Sequence, residues 1–197
     1  MKIKGLTGVE QVFLRNSGRQ GWTTKMPYIV VTNLPDLGLL TSLRFLEWVS
    51  ENPEGVISLP TGKTPEYFIK WTQLILNGWN KSDMRKLREE YGLSLEKKPS
   101  LGGLHFVQMD EFYPINPEHH NSFHDYVVNF YLKGFSLDRK KALLFNANEI
   151  PVAGGRHYSE VFPESRIDLT LRNREPLSEL EKLQQASIFA IDNWCMS

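Results

Sequence analysis

The chain has one cysteine, Cys195, no excess of either charge, and no long apolar run. A single thiol excludes an internal disulfide and fits a reducing compartment, so cytoplasmic localisation is the expectation. Lys plus Arg and Asp plus Glu both number 23, for a formal net charge of zero. That balance offers no electrostatic case for nucleic acid or an anionic membrane surface, and neither is expected as a partner. No segment approaches the roughly 18 apolar residues of a membrane span, and the start, MKIKGLTGVEQ, has no signal-peptide apolar region. What is present is core material: the chain is 41% hydrophobic and 12% aromatic, which argues against disorder.

Residues 28–197 read as one α/β unit, preceded by an N-terminal arm over 1–27 with a short helical turn. YIVVT at 28–32 reads as a strand. Asn33 or Asp36 then caps a helix carrying Leu39, Leu40, Leu43, Leu46 and Val49 at helical spacing and stopping before Pro53. A strand at 56–59 leads through Thr61-Gly62-Lys63-Thr64 to Pro65, placed at the first position of a helix. That helix has a stripe of Tyr67, Phe68, Trp71, Leu74, Ile75 and Trp79, read as core, and ends near Gly78. Asp83 to Tyr91 reads as a short solvated helix, Gly102-Gly103 as a turn and 104–109 as a strand. Ser122 caps a helix over 123–133, and a strand follows at 142–145, then a loop at 146–151. The stretch 152–175 resists assignment. A long helix occupies 176–196, begun by Ser178 or an earlier residue, with Leu177, Leu180, Leu183, Ile188 and Ile191 inward. The alternation of strands and helices predicts a mainly parallel sheet.

Two places carry chemistry. A strand, a Gly-bearing loop and a helix start over Gly55–Pro65 together form an anion site, since backbone N–H groups and the positive helix end converge on the loop. Gly62-Lys63-Thr64 matches the end of a nucleotide-binding P-loop, but the glycine that this motif needs five residues earlier is replaced by Ile57, which argues against nucleotide chemistry. The other place is Asp110-Glu111, two carboxylates at the C-terminal end of a strand, the edge where open α/β sheets bind ligands. Alternation along a strand predicts that only one of them addresses a pocket, and a partly buried carboxylate there suits proton transfer. The alternative is an acid that caps a helix or pairs with an arginine. His119, His120 and His124 lack the accompanying ligands of a metal site and read as surface residues. Cys195 reads as a packed thiol.

LPTGKTP, MDEFYPI, HHNSFHDY and LLFNAN, in this order over about residues 28–150, resemble the glucosamine-6-phosphate deaminase/isomerase family. The related 6-phosphogluconolactonases have a Ser-Gly-Gly loop in place of Pro-Thr-Gly. The resemblance implies a three-layer α/β/α, Rossmann-like domain with a mainly parallel sheet, incomplete at its C-terminus, and a reaction that turns glucosamine 6-phosphate and water into fructose 6-phosphate and ammonia. It also implies no cofactor and no metal. On the same basis Pro60, Thr61, Gly62, Lys63 and Thr64 line the sugar-phosphate pocket, Asp110 is the base moving a proton between C1 and C2, and Glu111 supports the strand end. Two features depart from the family. Lys63 replaces a small residue, and the family's ring-opening Asp-Gly-His segment is absent. The expectation is therefore the N-terminal part of a longer enzyme whose uncovered sheet makes it either self-associating or marginally stable, with a homo-oligomer as the expected assembly and a small sugar phosphate as its other partner. A lactonase and a non-catalytic sugar-phosphate-binding module are the alternatives.

Overall fold

The structure is a computed structural model that describes residues 5–18, 28–112, 115–146, 156, 158–163 and 167–196. The fold is α/β and Rossmann-like: helices alternate with a short three-stranded sheet in the order β1–β2–β3. The strands are Val56–Ile57 (β1), His105–Val107 (β2) and Ala142–Leu143 (β3). β1 and β2 run parallel, with Val56 opposite His105 and Ile57 opposite Phe106. Ile57 and Phe106 are buried while Val56 and His105 are exposed, so this pair has one covered face and one open face. All three strands are shorter than the apolar runs predict, because pairing covers only part of each run. Residues 28–32, expected as a strand, have no regular secondary structure, and Tyr28 and Val30 are exposed rather than packed.

The described chain divides into two compact units: residues 1–107 with 128–142, and residues 108–127 with 143–197. In the first, α1 (Gly8–Asn16) begins at a reciprocal cap, in which the Thr7 hydroxyl accepts from the Glu10 N–H and the Glu10 carboxylate accepts from the Thr7 N–H. The segment read as an arm thus includes a nine-residue helix, with Val9 and Phe13 buried and the Phe13 ring 5.1 Å from that of Tyr91. α2 (Leu34–Glu51) is capped by Asn33, whose side chain accepts from the Asp36 N–H, with proline in its first turn. α3 (Glu66–Asn77) starts one position later than expected, Pro65 being its cap.

α2 and α3 pack closely because Gly38 has no side chain. A Cβ at Gly38 would lie 2.4 Å from Tyr67 Cβ and 2.6 Å from its carbonyl carbon. At this crossing the Ser42 hydroxyl donates to the Phe68 carbonyl (2.8 Å) and accepts from Thr72 (3.0 Å), so that both buried hydroxyls are satisfied. Phe45, Phe68, Phe135 and Tyr131 stack beside it with centroids 5.4–6.0 Å apart. The aromatic stripe of α3 is core at Phe68 and Ile75 and in the following Trp79, whereas Leu74 is exposed. In α4 (Ser82–Glu90) the charge run is solvated except at Arg88, which is buried with its guanidinium 3.5 Å from the Trp79 ring centroid. Arg88 donates to the carbonyls of Met84, Leu95 and Trp79, and burial, with Arg85 nearby, lowers its pKa.

In the second unit, α5 (Phe123–Tyr126) begins at the predicted cap Ser122; the chain then runs on as a π-helix at Val127–Lys133, which from residue 128 belongs to the first unit. The unassigned stretch contains α6 (Tyr158–Val161) and a 3₁₀ turn at Leu169–Arg172. α7 (Glu179–Met196) starts at Ser178, whose hydroxyl accepts from the Glu181 N–H. Its buried contact is Ile188, packed with Val161, Phe162 and Leu171, and Leu183 lies against that cluster. Leu177 and Leu180, expected inward, are exposed: Leu177 precedes α7 and Leu180 lies in its first turn, ahead of the turns that reach this cluster. The loop at 147–151 lies outside the described residues, as does the side chain of Cys195. Among the described residues no helix is long and apolar enough to cross a membrane.

Candidate functional site

The chain leaves β1 and β2 at the same edge of the sheet, since the two strands are parallel and in register. From β1 it enters the Pro60–Thr64 loop. Gly62 has φ +91°, a left-handed conformation that glycine adopts without strain, and a Cβ there would meet nothing within 4 Å. Backbone geometry alone therefore selects glycine at this position. The loop closes onto α3 through the Glu66 N–H, which donates to the Lys63 carbonyl at 3.3 Å. Pro60, Gly62, Lys63 and Thr64 are exposed and Thr61 is half-buried. The first residue of α3, Glu66, places a carboxylate next to this loop. Lys70, one turn on, hydrogen-bonds it and lowers its pKa, with a smaller contribution from Lys63. The loop has one anchor that the sequence pattern does not announce: the buried Tyr131 hydroxyl donates to the Pro60 carbonyl at 2.6 Å.

In the second unit, the two carboxylates after β2 have different environments. Glu111 Oε1 accepts from the N–H groups of Phe112 and Phe123, both at 2.9 Å. Its Oε2 accepts from the Ser122 hydroxyl and the His124 N–H, both at 2.7 Å. Glu111 thus caps α5, where N–H groups lack intrahelical partners and a negative charge is favoured. Ser122 serves the same helix end, since its hydroxyl also accepts from the Asp125 N–H. Asp110 is exposed, rather than partly buried, and among the described residues its carboxylate has no hydrogen-bond or ion-pair partner. Its backbone is held by Gln108, a residue not singled out by the sequence. The buried Gln108 side-chain amide donates to the Asp110 carbonyl (2.9 Å) and accepts from the Phe145 N–H (3.0 Å). A lone buried amide at the end of a strand is the signal that would have found it, because it must satisfy both its donor and its acceptor.

Among the described residues no group of histidine, cysteine and carboxylate side chains is placed to hold a metal ion. His119 and His120 stack with ring centroids 4.2 Å apart, His119 Nδ1 accepts from the Asn121 N–H, and the His124 ring faces the Pro117 carbonyl. A cavity of about 570 Å³ lined by Asn52, Pro53, Glu54, Gly55, Ser100 and Gly103 opens where β1 and β2 begin. That is the edge opposite the Pro60–Thr64 loop, and among the described residues Glu54 is its only titratable side chain. Ligands of open parallel sheets bind at the C-terminal ends of the strands, so the exposed loop is the better candidate despite lying outside this cavity.

No protein-family model matches the chain, and no curated protein does. Among solved structures the chain is similar to a monomeric glucosamine-6-phosphate deaminase described as a missing link of the NagB superfamily, at 18% identity and a TM-score of 0.48. The similarity covers 70% of this chain and 50% of that one, so the chain spans about half the length of the enzyme it matches.

Proposed function

We propose that the chain carries the proton-transfer and phosphate-holding elements of an aminosugar-phosphate isomerase/deaminase. The reading rests on the LPTGKTP and MDEFYPI segments together, and one structural observation supports it above others: Glu111 is consumed as a helix cap while Asp110 beside it remains exposed and unpaired among the described residues. Pro60, Thr61, Gly62, Lys63 and Thr64 hold the phosphate, with the left-handed Gly62 and the start of α3 as the anion-binding elements. The Asp110 carboxylate takes the C2 proton of the open-chain aminosugar as the aldehyde oxygen gains one, then returns a proton to C1. The C2 imine so formed is hydrolysed by water to fructose 6-phosphate and ammonia. The phosphate provides binding energy away from the reacting carbons.

A coupled assay for ammonia release from glucosamine 6-phosphate tests this on the full-length protein. Asp110→Asn is expected to lower kcat by roughly 10²- to 10⁴-fold, the usual contribution of a positioned acid or base. Wild-type rates in that variant would remove Asp110 from the mechanism. Saturable sugar-phosphate binding with no turnover in the wild type would instead identify a binding module.

A further inference from the structure

Tyr131 is fully buried near the middle of the π-helix, with its ring 5.8 Å from that of Phe106 on β2 and 5.5 Å from that of Phe135. Packing alone explains the ring but not the hydroxyl, which a phenylalanine would lack. That hydroxyl reaches Pro60, the residue opening the Thr61–Thr64 loop and more than seventy positions away in sequence. A trans peptide is planar, with its C=O and the following N–H pointing in opposite directions. A donor that holds the Pro60 carbonyl therefore also fixes where the Thr61 N–H points. π-Helical turns, which carry one residue more than α-helical ones, are rare and occur frequently at functional sites.

From this geometry we infer that Tyr131 is a positioning residue for the Pro60–Thr64 loop: it orients the loop's first N–H for an anion, acting through the Pro60 peptide without touching the ligand. The inference rests on the sugar-phosphate reading for the identity of the anion, but not for the loop's conformation. Tyr131→Phe keeps the ring and removes only the hydroxyl, so the Pro60 carbonyl loses this donor while the packing around the ring stays.

The test is amide hydrogen exchange on the free full-length protein, with inorganic phosphate titration alongside. In Tyr131→Phe the Glu66 amide, whose bond to the Lys63 carbonyl closes the loop, is expected to exchange on the order of threefold to tenfold faster, the range that one hydrogen bond provides, while amides of α2 and the rest of α3 are unchanged. The dissociation constant for phosphate is expected to rise by a similar factor. For a turning-over enzyme the same change falls on KM, with kcat within about twofold, since a remote phosphate contact contributes uniform binding. Unchanged exchange at Glu66 overturns the inference, as does an equal rise throughout the unit, which would mark Tyr131 as a packing residue only. Faster exchange at Glu66 in a protein that binds no phosphate would sustain the positioning role and sink the sugar-phosphate reading, which separates the two failures.

Discussion

The two units hold themselves together by different means. The first, residues 1–107 with 128–142, has the helix crossing at Gly38, a four-ring aromatic cluster, and a buried hydroxyl pair that satisfies itself. The second, residues 108–127 with 143–197, has a small apolar cluster of Val161, Phe162, Leu171 and Ile188, bordered by ion pairs. Arg172 pairs with Asp192 at 2.6 Å, and Arg174 joins Asp168 (2.8 Å) and Glu181 (2.9 Å) at the start of α7. Burial scales with apolar area and is insensitive to salt and pH, whereas partly exposed ion pairs are individually weak and depend on both. The candidate elements follow the same division. The loop of the first unit is anchored by one buried phenol, and Asp110 of the second by a carboxamide and a capped neighbour.

If burial sustains the first unit, Phe68→Ala should have the largest effect, a loss of about 3–5 kcal/mol in urea unfolding. Gly38→Ala belongs with it. Its added methyl would meet the Tyr67 backbone, which has no room to yield, and a loss of about 1–3 kcal/mol is expected. In the second unit Ile188→Ala should cost about 2–3 kcal/mol, near the low end for such truncations because its cluster is small. A loss as large as that of Phe68→Ala would erase the contrast. Glu111→Ala should cost about 1–3 kcal/mol by leaving the N–H groups at the start of α5 without their acceptor, read by helix content and exchange at Phe123 and His124.

The smallest effect is the one that discriminates best between the units, because it depends on pH. Hydrogen bonds from Thr170 and then Arg174 lower the Asp168 pKa to about 2. Arg174 and the Leu177 N–H likewise lower that of Glu181 to about 2. Both groups bind protons more weakly when folded than when unfolded. Their contribution is therefore present above the unfolded values, near 4, and is lost as pH falls from there toward 2. Acid should loosen α7 before it affects α2 and α3, and Arg174→Gln should weaken that dependence, mainly through Glu181, since Thr170 still holds Asp168. Exchange resolved by residue between pH 5 and pH 2 checks this, and simultaneous loss in both units would count against it. The exposed Glu66–Lys70 pair, by contrast, is screened by solvent and should leave stability unchanged in a Lys70→Ala comparison.

Much of the architecture is legible in local chemistry. Asn33, Ser122 and Ser178 cap helices as their side chains predict, because a cap depends on a few neighbouring residues. The end of α3 at Gly78 and the turn at Gly102-Gly103 follow from the same short-range rules. Strand length was not legible, since an apolar run such as YIVVT becomes a strand only where a partner offers a ladder. Nor was the burial of Arg88, whose charge looks solvated until the carbonyls of Met84, Leu95 and Trp79 are brought around it.

The Pro60–Thr64 loop and the Asp110-Glu111 pair bring out the same distinction. The sequence by itself determined that a glycine-bearing loop precedes a helix and that two acids follow a strand, because composition and spacing carry that much. Only the tertiary structure decided that Glu111 is committed to the N–H groups of α5 while Asp110 stays exposed, and that Tyr131 holds the Pro60 carbonyl. The physical reason is that a hydrogen bond between residues eleven or more positions apart depends on how the chain packs, and no local propensity encodes it.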